Sequence, residues 1–264
     1  MLTDIRTLVR HRQLIVALTS RDLKARYRGS VLGYFWSLAN PLLLLGVYTL
    51  VFTKFFPRPD ITPYALFLFA GILPWTFFAG AVMEATGAIS GNAGLVKKVM
   101  FPAEALPLVV VASHLVHFIL AIPVLLAAVA LFWVMGRVVV MPVILLAPLL
   151  MLLQGIFVAG IALVVSSASV LFRDLRDLVA NLLNLGFFLT PIIYLIDHIP
   201  SRPLRTILRF NPMTPFVAAF QDIFFFARLP SMVDAVLMVL YAVTSILIGF
   251  WVFDRLRDTL AEAL

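Results

Sequence analysis

Residues 21–41 read RDLKARYRGSVLGYFWSLANP, a strongly basic run that turns without a linker into a long apolar segment. Seven Lys/Arg precede that segment: Arg6, Arg10, Arg12, Arg21, Lys24, Arg26 and Arg28. A basic excess beside a first membrane crossing holds its end of the chain in the cytoplasm, so the N-terminus is predicted to be cytoplasmic. On a helical wheel Ile5, Leu8, Val9, Ile15, Val16 and Leu23 share one side, and Arg6, Arg10, Arg21, Lys24 and Arg28 the other. This predicts an interfacial amphipathic helix within residues 1–33, broken near Gly29. Its arginines have two readings, anchorage among lipid headgroups or contact with a substrate's phosphates.

With 63% hydrophobic and 12% charged residues and a mean hydropathy of +1.08, the chain has too few polar residues to cover a water-soluble globule of 264 residues. Its apolar runs are continuous over roughly 20–30 residues, which selects a helical bundle over alternating barrel strands. The predicted fold class is therefore an all-α integral membrane protein. The net charge of +7 reads as membrane anchoring, with no basic soluble surface to bind nucleic acid. The absence of cysteine excludes disulfides, thiolate metal sites and cysteine nucleophiles. No cleaved signal peptide is expected, because the first apolar run is long enough to span and lacks a small-residue exit.

Six spans are predicted, at 34–56, 64–90, 107–135, 138–165, 178–196 and 233–253. The first contains Asn40-Pro41, a polar amide beside a freed carbonyl, and should face protein or a cavity. The second carries Glu84 towards its inner end, either as a buried partner or at the interface. The third carries His114 and His117 on one helix face, which could bind metal or relay protons; no further His, Cys or acidic partner lies in this span, and hydrogen bonding between helices is expected. The fourth ends in Ser166, Ser167, Ala168 and Ser169, small residues that allow close helix packing. Residues 91–106 form a polar cytoplasmic loop in which Leu95, Val99 and Phe101 offer an apolar face beside Lys97 and Lys98. That loop is either a docking knob or a solvated charge pair. Residues 197–232 are too long for an ordinary connection and are read as two short amphipathic helices forming an outer re-entrant hairpin. Both termini are then cytoplasmic, and 13 of the 20 Lys/Arg fall on that side. Arg202, Arg205, Arg209 and Arg228 of the hairpin are the local exception.

No phosphate-binding loop, zinc-protease motif, serine-hydrolase elbow or pair of membrane acids is present. FRDLRD at 172–177 has the look of a Mg²⁺–diphosphate motif, but each aspartate neighbours an arginine and no second acidic cluster exists. No catalytic residue and no metal or other cofactor is therefore assigned to the chain.

The pieces KARYRGSVLGYFWSLANP, GILPWTFF, LVKKVMFPAEALPL, FRDLRD, FFLTPIIY and NPMTPF occur in that order over nearly the whole chain. In them the sequence resembles the type-2 ABC exporter permeases of the polysaccharide and O-antigen group. The resemblance implies a homodimer bound to two copies of an ABC ATPase subunit in the bacterial inner membrane, with ATP and Mg²⁺ held by that partner. It implies a lipid-linked polysaccharide as substrate. Leu95, Val96, Lys97, Lys98, Val99 and Phe101, with Glu104 behind them, would couple to the ATPase. Arg26 and Arg28 would meet the diphosphate of the incoming lipid. Tyr48, Trp75, Phe187, Phe188 and Tyr194 would line a channel built by the first and fifth spans, since aromatic faces suit the C–H faces of sugars. The same architecture also fits an exporter of teichoic acid or of a small lipid or drug. The rival from another class is an intramembrane polyprenyl-diphosphate transferase.

Overall fold

The computed structural model describes residues 12–27, 36–55, 61–94, 102–172 and 174–263. Residues 95–101 of the expected coupling segment, and Arg28, lie outside the described residues. Among the described residues there are nine α-helices and no strand. In chain order they are α1 (Arg12–Tyr27), α2 (Trp36–Leu50, continued by a π-turn Val51–Phe55), α3 (Tyr64–Ala85), α4 (Ala105–Val134) and α5 (Ala147–Leu171, led by a 3-10 turn Pro142–Leu146). Then come α6 (Leu175–Leu189), α7 (Arg202–Arg209), α8 (Thr214–Phe224) and α9 (Met232–Ala263).

Among the described residues four segments are long and apolar enough to cross a membrane: Tyr64–Ala85, Ala105–Val134, Pro142–Leu171 and Met232–Arg257. The shortest, with 22 residues, reaches about 33 Å at 1.5 Å per residue. The apolar part of α2, Ala39–Leu50, and the whole of α6 are shorter.

Helix α3 is the central post. Every residue from Tyr64 to Phe77 except Thr76 is buried, with α2, α4, α5 and α8 packed around it. Rings tie these helices together: Phe77 stacks on Phe118 of α4 at 5.3 Å, Phe78 on Phe157 of α5 at 5.9 Å, and Phe157 on Phe216 of α8 at 5.2 Å. Phe118 closes the circuit onto Phe220 of α8 at 5.3 Å. On the far side α5 meets α9 backbone to backbone. A Cβ on Gly160 would stand 2.2 Å from the Ser245 carbonyl carbon, and one on Gly249 2.6 Å from the Gly160 oxygen. Without side chains at these two positions the helices approach closely enough for van der Waals packing to hold them in an apolar medium.

In α1, Val16 of the expected apolar side is 68% exposed, while Thr19 is buried and Asp22 half-buried. The inward side of α1 is partly polar, and its Arg26 donates to Glu84 of α3. Helix α8 was read as two-sided, but ten of its residues, among them Gln221 and Asp222, are buried. It is a core helix wedged against α3, α5 and α9. In helix α7 Leu208 is buried and Arg202 and Arg209 are exposed, but Leu204 and Ile207 of the expected apolar side are exposed as well.

Candidate functional site

Among the described residues, ion pairs fall in two places, the α1 end of the bundle and the 190–228 region. At the α1 end, Glu84 in the last turn of α3 accepts a hydrogen bond from Arg26 Nη2 of α1 and pairs with His114 Nε2 of α4 at 2.8 Å. Arg26 Nε also donates to Asp22 Oδ2 at 3.1 Å, so the chain Asp22–Arg26–Glu84–His114 joins three helices. Burial works against the Arg26 charge, but the carboxylates of Glu84 and Asp22 prevail and raise its pKa above the ordinary value. Gly80, one turn before Glu84, admits the His114 ring: a Cβ there would lie 2.8 Å from His114 Cε1. His117 Nδ1 lies 2.8 Å from the Ser113 carbonyl. A carbonyl only accepts, so Nδ1 carries a proton.

Two cavities flank this chain of charges. One, of about 390 Å³, is lined by Arg21, Asp22, Glu84, Asn92 and Arg176 among others. The other, of about 290 Å³, is lined by Arg26, Asn40, Thr76, His114 and His117 together with apolar residues of α2, α3 and α4. Glu104, at the root of the 91–106 loop, is 4% exposed and accepts from Arg257 Nη2 of α9 at 3.2 Å. The end of that loop is thereby tied to the last helix.

At the opposite end the chain leaves α6 at Thr190-Pro191, since a residue before proline is pushed out of the helical region. Asn211 Nδ2 donates to the Leu189 carbonyl and to Thr190 Oγ1, both at 3.1 Å, and Gln221 Nε2 to the Pro191 carbonyl at 3.1 Å. Two of the sequence motifs, FFLTPIIY and NPMTPF, are thus held against each other. Asp222 Oδ1 accepts from Arg228 Nε at 2.7 Å; burial raises the pKa of this carboxyl and the guanidinium pulls part of that back. A cavity of about 280 Å³ here is lined by Tyr194, Asp197, Arg209, Gln221 and Arg228, among others.

The five aromatics singled out in the sequence do not share one surface within the subunit. Trp75 is buried against Phe78 and Phe187, its Cη2 3.0 Å from where a Cβ of Gly186 would be. Tyr48 and Phe187 are half-buried against the core, and the Tyr194 hydroxyl donates to the Phe188 carbonyl at 3.0 Å. Phe188 is 64% exposed. The Arg26–Glu84–His114 linkage was not legible as a unit. Glu84 and His114 were each visible as polar residues in apolar runs, but their sequence separations conceal the pairing. Of FRDLRD, Asp177 sits in the first turn of α6, where a negative charge complements the helix dipole.

Long apolar helices with ion pairs near their ends fit a multi-pass membrane protein. Residues 13–225 match the ABC-2 type transporter family, and the chain belongs to it. It is 37% identical over 271 residues, covering all of both chains, to the O-antigen export system permease protein RfbA of Myxococcus xanthus. It is 34% identical to the protein of the same name from Klebsiella pneumoniae, over 95% of each chain. The polysialic acid transport protein KpsM of Escherichia coli is 24% identical over 77% of this chain and 78% of its own.

Proposed function

We propose that the chain is the permease subunit of an ABC transporter that exports a lipid-linked polysaccharide, an O-antigen or related polymer, across the bacterial inner membrane. The observation that carries this is the 37% identity to an O-antigen export permease over the full length of both chains. ATP and Mg²⁺ belong to a separate ATPase subunit, present in two copies, and this chain performs no chemistry of its own. Helices α2 and α6 complete six spans with both termini in the cytoplasm, and α7 and α8 form the re-entrant hairpin of the outer leaflet. Short helices suit a path, where the bilayer need not be crossed by one continuous apolar rod.

The subunit works as a homodimer. Leu178, Leu182, Leu185 and Leu189 form an exposed stripe along α6 at heptad-like spacing, 51–62% accessible, which supports burial against a second copy. The coupling segment runs through Leu95, Val96, Lys97, Lys98, Val99 and Phe101. Movement of this segment on ATP binding reaches the bundle through its root, where Glu104 holds α9 by Arg257. Arg26 and Arg28 attract the diphosphate of the lipid carrier as it enters, and the aromatics Tyr48, Trp75, Phe187, Phe188 and Tyr194 support the path walls.

The test is polymer export in cells depleted of the protein and complemented with wild type or with Lys97→Glu/Lys98→Glu/Phe101→Ala. Depletion is expected to trap finished polymer in the cytoplasm, and the triple variant to reach the membrane without restoring export. Loss of polymer synthesis on depletion would instead favour the transferase reading.

A further inference from the structure

Helix α6 has three distinct sides. Val179, Leu183 and Gly186 face the subunit, with Val179 buried and Gly186 against Trp75. The leucine stripe of residues 178, 182, 185 and 189 lies on one flank. Diametrically opposite the packed side, at i, i+3 and i+7, stand Asn181, Asn184 and Phe188, all exposed. A primary amide that faces hydrocarbon loses its hydrogen bonds to water and gains none, which is strongly unfavourable. Two such amides on the outermost side of a helix, apart from a leucine stripe that fits a protein seam, mark that side as one bathed in water or in a polar ligand.

We propose that Asn181 and Asn184 line the translocation path and exchange hydrogen bonds with the hydroxyls of the passing saccharide, beside the ring of Phe188. This rests on the polysaccharide-export reading. The chemistry suits a moving polymer. An amide both donates and accepts, as a hydroxyl does, so it serves successive sugars in any orientation. Being neutral, it does not trap the chain as an ion pair would, and a path must bind weakly enough to release. Phe188 adds an apolar face for sugar C–H groups next to these amides.

The chain has no cysteine, so single thiols can be placed without altering others. The complex with its ATPase, in membranes of polymer-producing cells, is treated with a hydrophilic methanethiosulfonate, which requires a hydrated thiolate. Asn181→Cys and Asn184→Cys are expected to react, and to react about tenfold more slowly when polymer is stalled in the path. Such protection corresponds to about 1.4 kcal/mol. Leu182→Cys and Leu185→Cys are expected to stay unreactive to the reagent. Thiols at 181 and 184 that cross-link between two copies, or whose labelling ignores the polymer, would place the amides in the subunit seam and overturn the proposal. Independently, Asn181→Leu/Asn184→Leu should export about tenfold more slowly at equal membrane level, with Gln at both positions restoring the rate, as expected for a lost hydrogen bond or two. Wild-type export by the Leu pair overturns the path assignment alone. Unimpaired export after depletion of the whole protein would overturn the export reading with it.

Discussion

Glu84 answers two partners from two other helices, the Arg26 guanidinium and the His114 ring, and its position at the bundle rim decides how much that is worth. Its side chain is 39% exposed and that of Arg26 29%, so water screens the pair and its direct contribution is about 1 kcal/mol or less. Its consequence is positional: it holds α1 against α3 and α4. Glu84→Ala is expected to leave the bundle folded while trypsin cleaves after Arg21 and Lys24 several-fold faster in the purified protein. Unchanged cleavage would show that packing on α4 alone holds α1. Glu104 is the opposite case, a buried carboxylate with a half-exposed partner. Arg257→Ala strands that carboxylate and should cost about 1–3 kcal/mol, more than Glu104→Gln, which keeps an acceptor in place. Melting temperatures of the two variants in one detergent check the order, and a greater loss in Glu104→Gln would refute it.

Helices α5 and α9 owe their association to two missing side chains. Even Gly160→Ala puts a Cβ into the Ser245 carbonyl, so the helices must part, at a cost of about 1–3 kcal/mol for such overpacking. The purified Gly160→Val protein is expected to aggregate or to melt several degrees lower, while Gly46→Ala, with open space around it, should not change. Equal behaviour of the two would remove the backbone contact from the account. The leucine side of α6 makes a separate prediction. Leu182→Cys and Leu185→Cys should form oxidised dimers in membranes in preference to thiols on buried α8, such as Val217→Cys; their failure to do so would move the seam elsewhere.

As a bundle, the protein arranges its polar groups by depth: charges at the α1 end, the 190–228 region at the other, and an aromatic core between. The all-helical class and the long runs were legible because a bilayer requires each crossing to satisfy its own backbone, which writes a length and a composition into the sequence. The motifs FFLTPIIY and NPMTPF were visible as strings, and only the fold reveals that Asn211 bridges them. Burial on α8 was misread because a short helix with polar residues looks interfacial until partners such as Arg228 are brought to it.

Sequence alone determined the membrane class, the order of the apolar segments, the polar breaks between them and the family likeness carried by spaced motifs. These follow from local composition, where each residue's preference for lipid or water acts independently of distant chain. Tertiary structure decided which polar residues answer one another, Arg26 with Glu84 and His114, and Glu104 with Arg257, and which side of α6 is left without a partner. In helices that are apolar nearly all round, hydrophobicity does not choose a face, so facing is set by shape: Gly186 beside Trp75, and Gly160 beneath Gly249.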